Sequence, residues 1–409
     1  MNVFEMELKR DRNGRIVEKT ETVAGTPATW KYTYDNGGRL TEAHRDGRLI
    51  CQCNYDGEGR RSRDYFPATV GPHYRDYRYT MDNRLLRAGN NTYTHDDNGF
   101  RSIWSNGGTY HLYEYTPDYR LLRMEVEDQN RVYTFQHNDD GQRAAEYLNG
   151  QLAEAYQWLD FIRLGAFHDG RMSYEFDYTD KERLPSSMRR EDGAVFTLHY
   201  DQVGSLRVVA DSHGNVIKEV LYDPFGGIIE DTNPGFHVPI GFAGGLHDRD
   251  LGFVRFGWRD YDVNTGRWTA PDPIGDKGGD PDWYGYCLDD PVNGVDPLGL
   301  FQIIGDGPGG RIVGGIIGGA ITGTISGGVS MGPAGAVTGA AVGGALGGLG
   351  AVYGEIPNDL GRGSSGGGGS SNSGSSSGSS GTGSGSGSTG GGSSSRSGGY
   401  DGGGGWFGR

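Results

Sequence analysis

The residues of this 409-residue chain best equipped for chemistry are aspartates beside prolines. Asp-Pro pairs occur at Asp223, Asp272, Asp280, Asp290 and Asp296, and Asp272 is bracketed by Pro271 and Pro273, which restrict the backbone and hold it extended. Two carboxyls forced together cannot both ionise easily, so one keeps its proton and acts as an acid while the other takes a proton from water. Such a pair sets an acid beside a base and is fit for general acid–base work. The rival reading is that Asp before Pro opens turns, and for any one of these aspartates alone the turn is the better account.

Other chemistries are disfavoured. Cys51, Cys53 and Cys287 are too few for a disulfide framework. Cys51 and Cys53 fall on one face of a strand, and with no second Cys pair or nearby His cluster to complete a tetrahedral site they read as structural thiols. No metal and no cofactor is expected. A net charge of −15 argues against a nucleic-acid partner, because neutralising phosphates needs clustered Lys and Arg. Residues 1–23 are charged throughout and hold no apolar stretch of a Sec signal peptide.

The elements that must position the aspartates are read from an internal repeat. A turn with Asn or Gly followed by Arg recurs roughly every 20 residues. The clearest copies are Asn13-Gly14-Arg15-Ile16, Tyr34-Asp35-Asn36-Gly37-Gly38-Arg39-Leu40 and Tyr55-Asp56-Gly57-Glu58-Gly59-Arg60. Degenerate copies sit at Asp82-Asn83-Arg84, Asp96-Asp97-Asn98-Gly99, Asp118-Tyr119-Arg120 and Asn138-Asp139-Asp140-Gly141-Gln142-Arg143. Asp or Asn caps each turn and Gly accepts positive φ, so every copy starts a new strand. The Tyr before a turn and the Arg or Leu after it are expected to pack across the hairpin. No hairpin is stable alone, so many must stand side by side.

These residues resemble the YD-repeat (RHS) family, whose members coil a β-ribbon into a shell around a C-terminal payload. A generic hairpin array is the alternative for residues 1–190 alone. From His199 the likeness tightens to the RHS repeat-associated core. It is carried by His199-Tyr200-Asp201-Gln202-Val203-Gly204, Tyr222-Asp223-Pro224-Phe225-Gly226, Arg259-Asp260-Tyr261-Asp262, Gly266-Arg267-Trp268, Pro271-Asp272-Pro273-Ile274-Gly275 and Asp296-Pro297-Leu298-Gly299-Leu300. Trp258 and Val263 depart from that pattern, standing where Ala and Pro are commoner. So do Asp289 and Asp290, whose added acid is expected to raise Asp296 or weaken cleavage.

The resemblance implies self-cleavage between Leu300 and Phe301 by Asp272 and Asp296 with support from Arg259. The aromatics Trp258, Trp268, Trp283, Tyr284 and Tyr286 read as packing. The fold class expected is mainly β: an antiparallel hairpin ribbon coiling into a partial shell. Degenerate repeats fill 1–198 and the core fills 199–300. Because so few repeats precede the core, the chain is not expected to enclose anything by itself; a longer shell or a secretion-system component is the partner implied. The resemblance also implies a bacterial chain, made in the cytoplasm and secreted or displayed at the cell surface as part of a toxin or effector. An immunity protein cannot be inferred.

Residues 301–360 are rich in Gly and Ala and carry glycines four apart, as at Gly315, Gly319, Gly323 and Gly327. That spacing suits a glycine-zipper helical hairpin in a membrane through 312–354, with a collapsed or disordered segment as the alternative. Residues 361–409 read as a disordered Gly/Ser tail without a recognisable enzyme motif. The function implied is a β-shell that encloses or presents a payload and cuts its own chain. The alternative is a non-catalytic structural or cell-surface interaction protein whose glycine-rich tail anchors or spaces it.

Overall fold

A computed structural model describes residues 2–179 and 182–304. The glycine-zipper segment, its membrane hairpin and the Gly/Ser tail lie outside the described residues. Among the described residues no helix is long and apolar enough to cross a membrane.

The repeat folds from its own turn chemistry. Asp35 accepts the Arg39 backbone N–H at 3.0 Å and the Arg39 Nε at 2.7 Å, closing a loop in which Gly38 takes φ 90°. Asp11 with Arg15 and Asp56 with Arg60 repeat the clamp. Each of these arginines stacks on the tyrosine of the next repeat: Arg15 on Tyr34, Arg39 on Tyr55 and Arg60 on Tyr79. The tyrosine hydroxyls then donate to the carbonyls of Ile16, Leu40 and Arg61 in the previous repeat. Across the hairpin the tyrosine pairs with the leucine after the turn, Tyr34 with Leu40 and Tyr79 with Leu85, as expected, while the arginine reaches on to the next unit instead of packing within its own hairpin. Relayed from turn to turn, this contact lines the hairpins up.

From Phe4–Arg10 to Ile228–Asp231, the strands form one antiparallel sheet of 22 members, in which every strand pairs with its neighbours in sequence. The ladder slips beside many of the turns, for example between Thr33 and Tyr34 and between Asn54 and Tyr55. Such bulges add twist and bend the ribbon. One face carries the core: Trp30 and Tyr32 on one strand, Cys51 and Cys53 on another, then Tyr133, Phe135, Phe167 and Met188, all buried.

The ribbon curves until its two ends meet. Glu21 lies 3.1 Å from Arg207, Lys19 lies 3.8 Å from Asp201, and the Phe4 and His199 rings stand 6.4 Å apart. Held against it is a plug built on a four-stranded sheet, Leu246–Asp248, Phe253–Phe256, Arg259–Asp262 and Arg267–Trp268. Phe242, Val254, Phe256, Tyr261, Trp268 and Tyr286 from the plug pack with Val203, Val220 and Tyr222 of the ribbon. Each such buried aromatic contributes about 1.5–3 kcal/mol of hydrophobic stabilisation.

Charge also ties plug to ribbon. Arg61 reaches Asp289 at 2.8 Å, Arg101 reaches Asp262 at 2.7 Å, and Arg143 reaches Asp248 at 3.1 Å. These contacts fall at three points along the ribbon. The result is a mainly β, shell-like arrangement in which the ribbon packs on its own core segment.

Candidate functional site

Arg259, Asp272 and Asp296, the trio that the resemblance implies, come together at the C-terminal end of the plug. Arg259 opens the third plug strand, buried at 2% exposure, with its guanidinium 4.2 Å from the centre of the Trp268 ring. It is used up by acceptors: Nε donates to the Gly299 carbonyl at 2.6 Å, Nη1 to the Trp283 carbonyl at 2.9 Å, and Nη2 to Asp272 at 2.8 Å. The Asp296 carboxylate lies 3.5 Å from the same Nη2. One guanidinium therefore spans both carboxylates and the backbone just before Leu300.

Both aspartates are also turn residues, so the two readings of Asp-Pro are not exclusive here. Asp272 accepts the Ile274 N–H at 2.8 Å. Asp296 accepts the Leu300 N–H at 3.0 Å and also that of Phe301. Burial raises Asp272 above the ordinary carboxylate range, opposed by Arg259. Burial likewise pushes Asp296 up to about 6, against Arg259 and the two N–H groups, and the neighbouring Asp272 charge adds to the rise. The other Asp-Pro aspartates stay with the turn reading: Asp223 binds the Phe225 and Gly227 N–H groups, Asp280 that of Asp282, and Asp290 bonds Asn293.

The chain on both sides of Leu300 is held. Leu300 is buried, and after it Ile303–Ile304 pairs antiparallel with Gly294–Val295, the strand immediately before Asp296. Asp289 and Asp290, expected to perturb Asp296, are engaged elsewhere, on Arg61 and Asn293.

Two features escaped sequence reasoning. A Cβ on Gly278 would lie 2.7 Å from both the Asp272 Oδ2 and the Leu300 carbonyl oxygen. Trp283 is not packing alone: it is 44% exposed, and its indole N–H donates to Asp276 at 3.0 Å. The Gly278-Gly279 pair in a loop was the available signal for the first. Trp268, Tyr284 and Tyr286 are buried, as expected of packing residues, and so are the free thiols Cys51, Cys53 and Cys287.

The family described as Teneurin YD-shell matches residues 1–281. Teneurin-3 of Danio rerio is 27% identical over 278 residues, covering 65% of this chain and 10% of that protein. Teneurin-1 of Gallus gallus is 29% identical over 279 residues, and Teneurin-m of Drosophila melanogaster 25% over 283, each again over 10% of its own length. The chain thus spans about a tenth of the curated relatives it matches. Among solved structures, the crystal structure of TcdB2-TccC3-Cdc42 matches 73% of this chain and 17% of that one, with a TM-score of 0.50 and 17% identity, a likeness of fold.

These animal relatives, from fish, bird and fly, overturn the expectation of a bacterial chain. The reason is physical: an Asp, Gly and Arg turn stacked on the next tyrosine is a folding unit that carries no mark of lineage.

Proposed function

Taking as premise that this chain belongs to the teneurin YD-shell family, we propose that it is a non-catalytic structural module, an enclosing β-shell that presents the segment beyond residue 304 for interaction at a cell surface. The observation that carries this reading is the ion pairing of the buried Arg61, Arg101 and Arg143 with Asp289, Asp262 and Asp248. It makes ribbon and plug one body, from which the chain leaves through a two-residue strand pair. A longer shell is the partner this reading favours, since the curated relatives are about ten times the length matched.

A second reading, self-cleavage after Leu300, is favoured by one observation: Arg259 contacts Asp272, Asp296 and the Gly299 carbonyl together. In this reading water adds to the Leu300 carbonyl carbon while Asp272, held ionised by Arg259, takes the water proton. Asp296, beside the Phe301 N–H, gives a proton to the departing nitrogen. The C–N bond breaks, leaving a carboxyl on Leu300 and an amine on Phe301, with one water consumed. Because the chain is its own substrate, no encounter is needed.

Intact-mass measurement of the purified chain separates the two. The structural module stays at full length through prolonged native incubation, and Asp272→Asn leaves its mass course unchanged. Self-cleavage gives fragments 1–300 and 301–409 that Asp272→Asn abolishes, with a rate that falls above about pH 6 as Asp296 loses its proton.

A further inference from the structure

The turn Gly275–Gly278 passes over the junction. Of its two glycines it is Gly278 that faces the junction: a methyl group there would stand 2.7 Å from Asp272 Oδ2 and 2.7 Å from the Leu300 carbonyl oxygen, nearer than a real Cβ comes to either. The Leu300 oxygen belongs to main chain held on one side by the Asp296 bond to the Leu300 N–H and on the other by the Ile303–Ile304 pairing. The Asp272 carboxylate is held by Arg259 and the Ile274 N–H. Neither oxygen is the free end of a flexible chain, so a side chain at 278 would have to drive them from their present positions.

We propose that Gly278 is a positioning residue, whose missing side chain lets the Asp272 carboxylate stand beside the Leu300 carbonyl. The inference rests on the self-cleavage reading and adds to it a steric condition that the three charged residues do not supply. Gly278 does not need its glycine for backbone reasons, since its φ lies outside the left-handed region. Its neighbour Gly279 is the reverse: φ is 87°, yet a Cβ there would meet nothing within 4 Å. The pair thus separates wedge from backbone strain.

The experiment follows the full chain by intact mass after native purification, comparing the parent with Gly278→Ala, Gly279→Ala and Asp272→Asn, with thermal unfolding of each alongside. On the self-cleavage reading the expected result is cleavage of the parent and of Gly279→Ala, none with Asp272→Asn, and at least a tenfold slower rate with Gly278→Ala at a melting temperature no lower than that of Gly279→Ala. The rate profile against pH gives a readout that loss of fold alone would not move. Asp272 faces Arg259, Asp296 and Tyr119, and displacement toward solvent would carry its limb of the profile to lower pH. Gly278→Ala cleaving as fast as the parent, or Gly278→Ala and Gly279→Ala slowed alike, overturns the role of Gly278 while leaving self-cleavage standing. A parent that stays whole, or an Asp272→Asn protein cut as readily, overturns both.

Discussion

Asp296 is a carboxyl that the fold makes costly to ionise. Burial raises it to about 6, above an unfolded value near 4, so the folded chain binds more protons than the unfolded chain between those pH values. Its contribution to stability is therefore fully present below about pH 4 and lost as pH rises through about 6. Asp296→Asn keeps an oxygen for the Leu300 N–H and removes the buried charge, while Arg259 retains Asp272. The variant should be more stable than the parent at pH 7.5 by about 1–3 kcal/mol, with no difference below about pH 4. Urea unfolding at the two pH values measures this, and a variant weaker at pH 7.5 would mean that the attraction of Arg259 outweighs the cost of burial. The trio itself was legible only through resemblance. Asp272 and Asp296 look in sequence like Asp223 or Asp290, since all four satisfy local turn bonds, and nothing nearby in the chain says that Arg259 will reach two of them.

At the scale of the hairpin, the sequence speaks more directly because the chemistry is local. Asp35 and Arg39 are four residues apart, the carboxylate serves backbone and side chain at once, and Gly38 supplies the left-handed turn, so spacing alone forecasts the strand reversal. What spacing does not reveal is the relay to Tyr55, which depends on how successive hairpins line up. Asp35→Ala would remove both acceptors and leave Arg39 to hold its stack unaided. The expected loss is about 1–2 kcal/mol, measurable as a lower urea midpoint. Hydrogen exchange should quicken first in Thr33–Leu40 and then in the strand carrying Tyr55, whereas an effect confined to the mutated turn would argue that the relay does not couple neighbouring repeats.

At the scale of the whole molecule, the least legible feature in the sequence is the one that unites it. Arg101 and Asp262 are 161 residues apart, meet at 2.7 Å, and are each about 3% exposed. No periodicity links them, since the partner of a ribbon arginine is set by the path of the plug. Desolvating two charges cancels much of their attraction, so the intact pair adds little net stability, but removing one member leaves the other buried and uncompensated. Asp262→Ala should therefore cost about 3–5 kcal/mol through the stranded Arg101, and also releases Thr265, whose hydroxyl donates to the same carboxylate. Replacing both partners, as Arg101→Met with Asp262→Leu, should recover a large part of that loss. The ribbon and plug signals should move together in each protein, because the pair lies where the two bodies meet. Separate transitions, with only the plug signal shifted by Asp262→Ala, would show that the ribbon stands without its core and that the enclosing module is two independent folds.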